Sequence, residues 1–184
     1  MKGIVIYKGK YGATKQYAEW LGEVLSLPVV MADNINGNQL KEFDYLLMGS
    51  SVYIGKLQIQ KWLNDNLDFI RGQKIFLFQV AATPPREIEK RQAYNQASIP
   101  SAIIESCEFY FLPGRMSMKK LSWMDRFMLK MGARLAKDPK AKKAMLTDYD
   151  EVTKDKIFEM CAVVKKYLQT TTPSALKTRT VATG

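Results

Sequence analysis

Ile4-Val5-Ile6-Tyr7-Lys8-Gly9-Lys10-Tyr11-Gly12-Ala13-Thr14 sets the architecture: an apolar, largely β-branched run empties into a glycine-bearing turn, and the turn opens into helix-forming sequence. This is a strand, a loop and a helix start. The first N–H groups of such a helix have no intrahelical acceptor, and the positive end of its dipole stands behind them, so the loop suits a phosphate. Gly9 and Gly12 permit positive φ or close backbone approach, Thr14 adds a hydroxyl, and Lys8 and Lys10 raise the local potential. The loop lacks the Gly-Lys-Ser/Thr ending of a nucleotide-triphosphatase loop, and Gly9-x-x-Gly12 is not the six-residue dinucleotide fingerprint. A nucleotide with one terminal phosphate fits better. Taken alone, the stretch also reads as a glycine turn with no ligand.

The pattern repeats outward from this unit. Ala13 to Leu25 places Tyr17, Trp20, Leu21, Val24 and Leu25 at helical spacing, and Val29-Val30-Met31 follows as a second strand. Gln39 to Glu42 makes a short turn before a third strand, Tyr45 to Met48, whose unbroken apolar run suits burial on both faces. A loop from Gly49 to Lys56, a helix over 57–69 and a fourth strand over 74–80 come next. Ala81-Ala82-Thr83-Pro84-Pro85 then precedes a polar helix over 86–97, and a fifth strand over 108–112 stops at Pro113-Gly114. The last helix is expected over 149–168. Strand and helix alternating five times predict a parallel sheet with helices on both faces.

At 184 residues and 47% hydrophobic composition the chain is one domain's worth. Met1-Lys2 runs straight into the first strand and no apolar run nears the eighteen or so residues that span a bilayer, so the chain is expected to stay in the cytoplasm. Cys107 and Cys161 lie in apolar contexts without CxxC spacing and read as two reduced buried thiols. Histidine is absent, which removes imidazole-based triads and the usual zinc ligand; no metal site and no catalytic side chain are expected, and any chemistry rests on a bound cofactor. The net charge of +10 is concentrated: residues 115–147 carry ten basic and two acidic side chains, whereas residues 1–114 carry twelve and eleven.

In a sheet ordered 2-1-3-4-5, ligands bind between the carboxyl ends of the first and third strands. Three strand-following loops meet there. Lys8, Gly9, Lys10, Tyr11, Gly12, Ala13 and Thr14 would take a phosphate; Ser50, Ser51, Val52, Tyr53, Ile54 and Gly55 would offer a flat aromatic face; Val80, Ala81, Ala82 and Thr83 would close the far edge. A planar heterocycle stacked on Tyr53 gains about 1 kcal/mol beyond area burial. Flavin mononucleotide has these parts.

The glycine loop, the Gly49-Ser50-Ser51 turn and the fivefold alternation resemble the flavodoxin superfamily over residues 1–112 and 148–169. Within it the chain is most similar to the menaquinone-dependent protoporphyrinogen oxidases, through Trp123-x-Asp125-Arg126-Phe127-Met128-x-Lys130, Thr147-Asp148-x-x-x-Val152, and Gly49-x-Ser51 with Gly55. The resemblance implies FMN as cofactor and a long insertion after the fifth strand. Two departures stand out. Flavodoxins usually begin the phosphate loop with Ser or Thr where Gly9 stands, and the oxidase pattern has Arg-Tyr where this chain has Tyr53-Ile54.

The expected molecule is a flavodoxin-like three-layer α/β sandwich, a single domain over 1–169 with a basic helical insertion at 115–147 and a polar tail at 170–184. Three functions are open: an FMN oxidoreductase of the quinone-linked protoporphyrinogen oxidase kind, a soluble flavodoxin-type electron carrier, and a flavin-free interaction module. Within the insertion, Ser122 and Asp125 have cap spacing, with Trp123, Met124, Phe127, Met128, Met131 and Leu135 on one face and Arg126, Lys130, Arg134 and Lys137 on the other. That face is expected to meet a redox partner or an anionic membrane surface through 115–137, peripheral on the inner side; packing on its own sheet or in a homodimer is the other reading, and nucleic acid is disfavoured.

Overall fold

The structure, a computed structural model, describes residues 1–83, 87–136 and 138–171. Pro84 and Pro85 of the third loop, Arg86 at the expected start of the polar helix, Lys137 of the basic segment and residues 172–184 of the expected tail lie outside the described residues.

The opening stretch forms β1 (Gly3–Lys8) and α1 (Ala13–Leu25), followed by β2 (Val29–Met31) and a one-turn α2 (Gly37–Leu40) held by an Asn36/Gln39 capping box. Next come β3 (Tyr45–Tyr53), β4 (Lys56–Leu57), α3 (Gln60–Asp65), α4 (Leu67–Ile70) and β5 (Lys74–Ala81). The second half holds α5 (Ile88–Ser98), α6 (Ser101–Ile104), β6 (Cys107–Pro113) and β7 (Arg115–Met116), then α7 (Trp123–Leu135), α8 (Pro139–Leu146), β8 (Tyr149–Asp150) and α9 (Phe158–Thr171).

The five long strands pair in parallel in the order β2-β1-β3-β5-β6. Counting those five alone, this is the expected 2-1-3-4-5. The period-two alternation of each strand divides the core between the two faces. Val5, Leu47, Phe76 and Phe78 pack under α1 and α9, whereas Ile6, Met48, Ile75 and Leu77 pack under α2, α3, α4 and α6. All eight are fully buried, each side chain contributing about 1.5–3 kcal/mol of apolar burial. Covering both faces with helices is what turns a nearly continuous apolar strand such as Tyr45 to Met48 into the middle of three layers.

Several boundaries differ from the expected ones, each for a local reason. The third strand continues to Tyr53 rather than ending at Met48, because Val52 and Tyr53 pair antiparallel with β4; the segment expected as a loop is a hairpin arm. The helix expected over 57–69 breaks at Asn66, whose side-chain amide donates to the Trp62 carbonyl at 2.9 Å. The last helix starts at Phe158 rather than Tyr149, because β8 pairs with β7 and closes the base of the insertion. It also takes in Thr170 and Thr171 of the expected tail. Cys161 is buried and Cys107 partly so, both as free thiols, and burial pushes the Cys107 thiol up to about 12.

Candidate functional site

The carboxyl ends of β1, β3 and β5 open into a cleft of about 410 Å³. Its floor is the start of α1. Gly12 is the N-cap with φ 85°, offers no side-chain cap, and its carbonyl accepts from the Gln16 N–H at 3.0 Å. The N–H groups of Ala13, Thr14 and Lys15 therefore have no acceptor within the helix and are free to meet an anion. A Cβ built on Gly9 would lie 2.6 Å from Thr14 Oγ1 and 2.7 Å from its Cβ. The space that a larger residue would need at position 9 is thus taken by Thr14, itself buried against the loop.

The second wall is the arm made by β3 and β4. A two-residue turn joins them, with positive φ at both Ile54 (49°) and Gly55 (73°). Glycine adopts this readily, but a β-branched side chain in the left-handed region costs about 1–2 kcal/mol. The turn is held regardless: Ser51 donates to Gln58 Oε1 at 2.6 Å, the Gln58 N–H donates to the Ser51 carbonyl at 3.0 Å, and the Ile59 N–H donates to Ser50 Oγ at 3.1 Å. Ser51, Val52, Tyr53 and Ile54 face the cleft from this arm.

Val80, Ala81 and Ala82 form the third wall, continued by Gly114, whose N–H donates to the Ala81 carbonyl at 3.1 Å. The insertion supplies a roof. Leu121, Asp125, Met128 and Leu129 come from α7 and its approach, and Arg115, Met116 and Tyr149 from the β7–β8 pair at its base. Ser122 caps α7, accepting from the Asp125 N–H at 3.2 Å, as the spacing predicts.

Asp125 ties the roof to both loops. Its side chain is 6% exposed; Oδ2 accepts from Lys10 Nζ at 2.7 Å and from the Tyr11 hydroxyl, and Oδ1 accepts from the Tyr53 hydroxyl at 2.5 Å. Burial works against the carboxylate charge, but these hydrogen bonds outweigh it and hold the carboxyl well below its usual range. The same contacts, Asp125 first, raise the Lys10 and Tyr53 values. Lys10 Nζ also lies 4.9 Å from the Tyr53 ring centroid and 5.4 Å from that of Tyr11, so it sits between the two rings.

Of the expected contact residues, Lys10, Tyr11, Ala13 and Thr14 line the cleft, with Ser51 to Ile54 and Val80 to Ala82. Gly9, Gly12 and Gly55 shape the loops rather than line them. Lys8 is placed differently from expectation: its ammonium pairs with Asp33 at 2.6 Å. Ser50 is buried beneath the arm, and Thr83 turns to the Tyr94 hydroxyl at 3.0 Å. Sequence reading missed everything the insertion and its base bring to the cleft (Arg115, Met116, Leu121, Met128, Leu129 and Tyr149), and above all Asp125, which is bonded to both loops. Its cap spacing explained it sufficiently, and the one available signal was a carboxylate at the head of an otherwise basic segment. No group of three potential metal ligands occurs among the described residues.

Comparison with solved structures finds an archaeal flavodoxin at 16% identity, covering 90% of this chain and 99% of that one with a TM-score of 0.46. A Megasphaera elsdenii flavodoxin matches at 12% identity over 78% and 95% of the two chains (TM-score 0.46), and Bacillus cereus flavodoxin 1 at 14% over 79% and 92% (TM-score 0.42). Among curated proteins nothing matches. A flavodoxin-domain family model matches residues 4–143, from β1 through α7 into α8, and the chain therefore belongs to the flavodoxin-domain family.

Proposed function

We propose that the cleft binds FMN and that the protein is an FMN-dependent oxidoreductase. The observation that carries this is the uncapped start of α1, set at the switch point of the sheet and facing an apolar cleft with Tyr53 on its wall. Ala13 and Thr14, with Lys10 beside them, would hold one terminal phosphate; the Ser51–Ile54 arm and Val80 to Ala82 would flank the ring. When bound, FMN supplies hydride and single-electron chemistry, so a side-chain acid–base set is not required. Leu121, Met128 and Leu129 would exclude water from above.

An enzyme is favoured over a carrier by a second cavity of about 390 Å³, which shares Tyr11, Arg115, Met116, Leu121 and Tyr149 with the first. It offers room for another reactant beside the cofactor. Arg115 and Lys120 line it together with Asp148 and Asp150; Arg115 Nε is buried and ion-paired with Asp150 at 3.5 Å, and Asp148 accepts from the Ser117 hydroxyl and the Met118 N–H. Arg115 is taken up by Asp150, so the exposed Lys120 would be the cation that meets a carboxylate-bearing aromatic substrate. The finer reading is therefore quinone-linked oxidation of a porphyrinogen-like compound, in which the substrate loses two electrons and two protons and the quinone gains them. FMN-loaded protein is expected to oxidise protoporphyrinogen in the presence of a menaquinone analogue, and not without it. Failure to do so, with rapid reduction by a flavodoxin reductase, would leave the soluble carrier as the function.

A further inference from the structure

The insertion helix has its apolar stripe on the outside. Inward, α7 places Asp125 and Ala133, both buried, and Leu129, which lines the cleft; outward it leaves Trp123 and Leu135, each 78% exposed, with Phe127 at 59% and Met131 between them. The reading in which this face packs on the protein's own sheet is therefore overturned. An exposed stripe of this length marks a surface that something covers. Lys130 and Arg134 are exposed beside the stripe, whereas Arg126 turns its guanidinium to the carbonyls of Lys119 and Leu121; α8 adds the exposed Lys142, Lys143, Met145 and Leu146.

We propose that this face docks on an anionic lipid surface. The chemistry separates the candidate occupants. A second copy would bring one cation-rich segment, with ten basic and two acidic side chains, against another. A nucleic acid would set phosphates against Trp123, Phe127 and Leu135 at the centre of the face, where no cation answers them. A leaflet of acidic lipids satisfies both halves: the aromatic, methionine and leucine side chains enter the headgroup boundary, and Lys130, Arg134, Lys142 and Lys143 meet the phosphates. No described helix is long and apolar enough to cross a membrane, so the contact is one of lying on the surface. Met128 belongs to both features, being 37% exposed beside the stripe and part of the cleft wall. Docking thus sets the mouth of the cleft at the lipid boundary, where a lipid-soluble reactant is found.

The test is co-sedimentation of the full chain with phosphatidylglycerol/phosphatidylcholine vesicles, scored by protein and not by flavin, so that it is independent of FMN binding. The wild type should pellet at low salt, less at high salt, and little with pure phosphatidylcholine. Trp123→Ser/Phe127→Ser and Lys130→Glu/Arg134→Glu should each weaken binding by at least about 30-fold, since each interfacial cation contributes about a factor of five and the apolar pair at least as much. Both variants alter exposed positions and should keep wild-type thermal melting. A wild type that stays in the supernatant overturns the proposal, as does equal binding to neutral and anionic vesicles. A dimer by sedimentation equilibrium that Trp123→Ser/Phe127→Ser converts to monomer also overturns it, since a second copy then covers the face.

Discussion

Gly12→Val is expected to weaken FMN binding by about 100-fold or more while leaving the protein folded. A Cβ at this position meets nothing within 4 Å, so the effect is conformational and not steric. Gly12 holds φ 85°, and a β-branched residue there is strained by about 1–2 kcal/mol. Relief of that strain would rotate the peptide that caps α1 and turn N–H groups away from the phosphate. Losing even one charge-assisted hydrogen bond adds about 1.5–3 kcal/mol, and each 1.4 kcal/mol is tenfold in affinity. The size of the loss should follow the tolerance of each residue for the left-handed region: small for Gly12→Asn, larger for Gly12→Ala, largest for Gly12→Val. Titration of FMN fluorescence measures it. Wild-type affinity in Gly12→Val would remove the loop from the binding site.

Asp125→Asn is expected to destabilise the fold by about 2 kcal/mol at neutral pH, a fall of about 4–8 °C in Tm for a chain of this size. Three donors, from Lys10, Tyr11 and Tyr53, converge on the carboxylate, and an amide accepts at one atom and presents hydrogens at the other. Lys10 keeps 39% of its side chain in water, so its charge attraction is screened and the buried hydrogen bonds dominate. The pH dependence has a definite sign. The Asp125 carboxyl is depressed in the folded state, so its contribution is present above the unfolded carboxylate value of about 3.9 and is lost only as pH falls through the lower folded value. The Lys10 ammonium is raised, so its share is present below its ordinary value and is lost only above it. The gap in Tm between wild type and Asp125→Asn should therefore be flat between about pH 5 and pH 9 and shrink in strong acid. Equal melting of the two proteins at pH 7 would mean that the strut carries no weight.

The sheet was legible because its information is local. Apolar runs, glycine stops and 3.6-residue spacing lie within single segments, and β1, α1 and the Ser122 cap fall where the sequence places them. What was not legible depends on residues far apart in the chain. The hairpin arm needs a positive φ at Ile54, a residue type that gives no turn signal, and it becomes visible only when Leu57 is found opposite Val52. The start of α9 was misplaced because Tyr149 and Asp150 pair with Arg115 and Met116, more than thirty residues earlier. Asp125 reaches Lys10 across 115 residues. No spacing rule in one sequence connects those two positions, so a carboxylate that fastens the roof to the loops looked like an ordinary helix cap. Lys8 shows the converse, a lysine adjacent to the loop that Asp33, in the turn after β2, draws away.

The most direct measurement of the central claim is a comparison of FMN with riboflavin, titrated into the same apoprotein. The two differ only in the phosphate, and the start of α1 has no side-chain cap to occupy its first N–H groups. FMN should bind one to one and at least about 100-fold more tightly than riboflavin, the equivalent of two charge-assisted hydrogen bonds at the low end of their range. Equal affinities, or no binding of either, would contradict the assignment of this cleft as a flavin mononucleotide site.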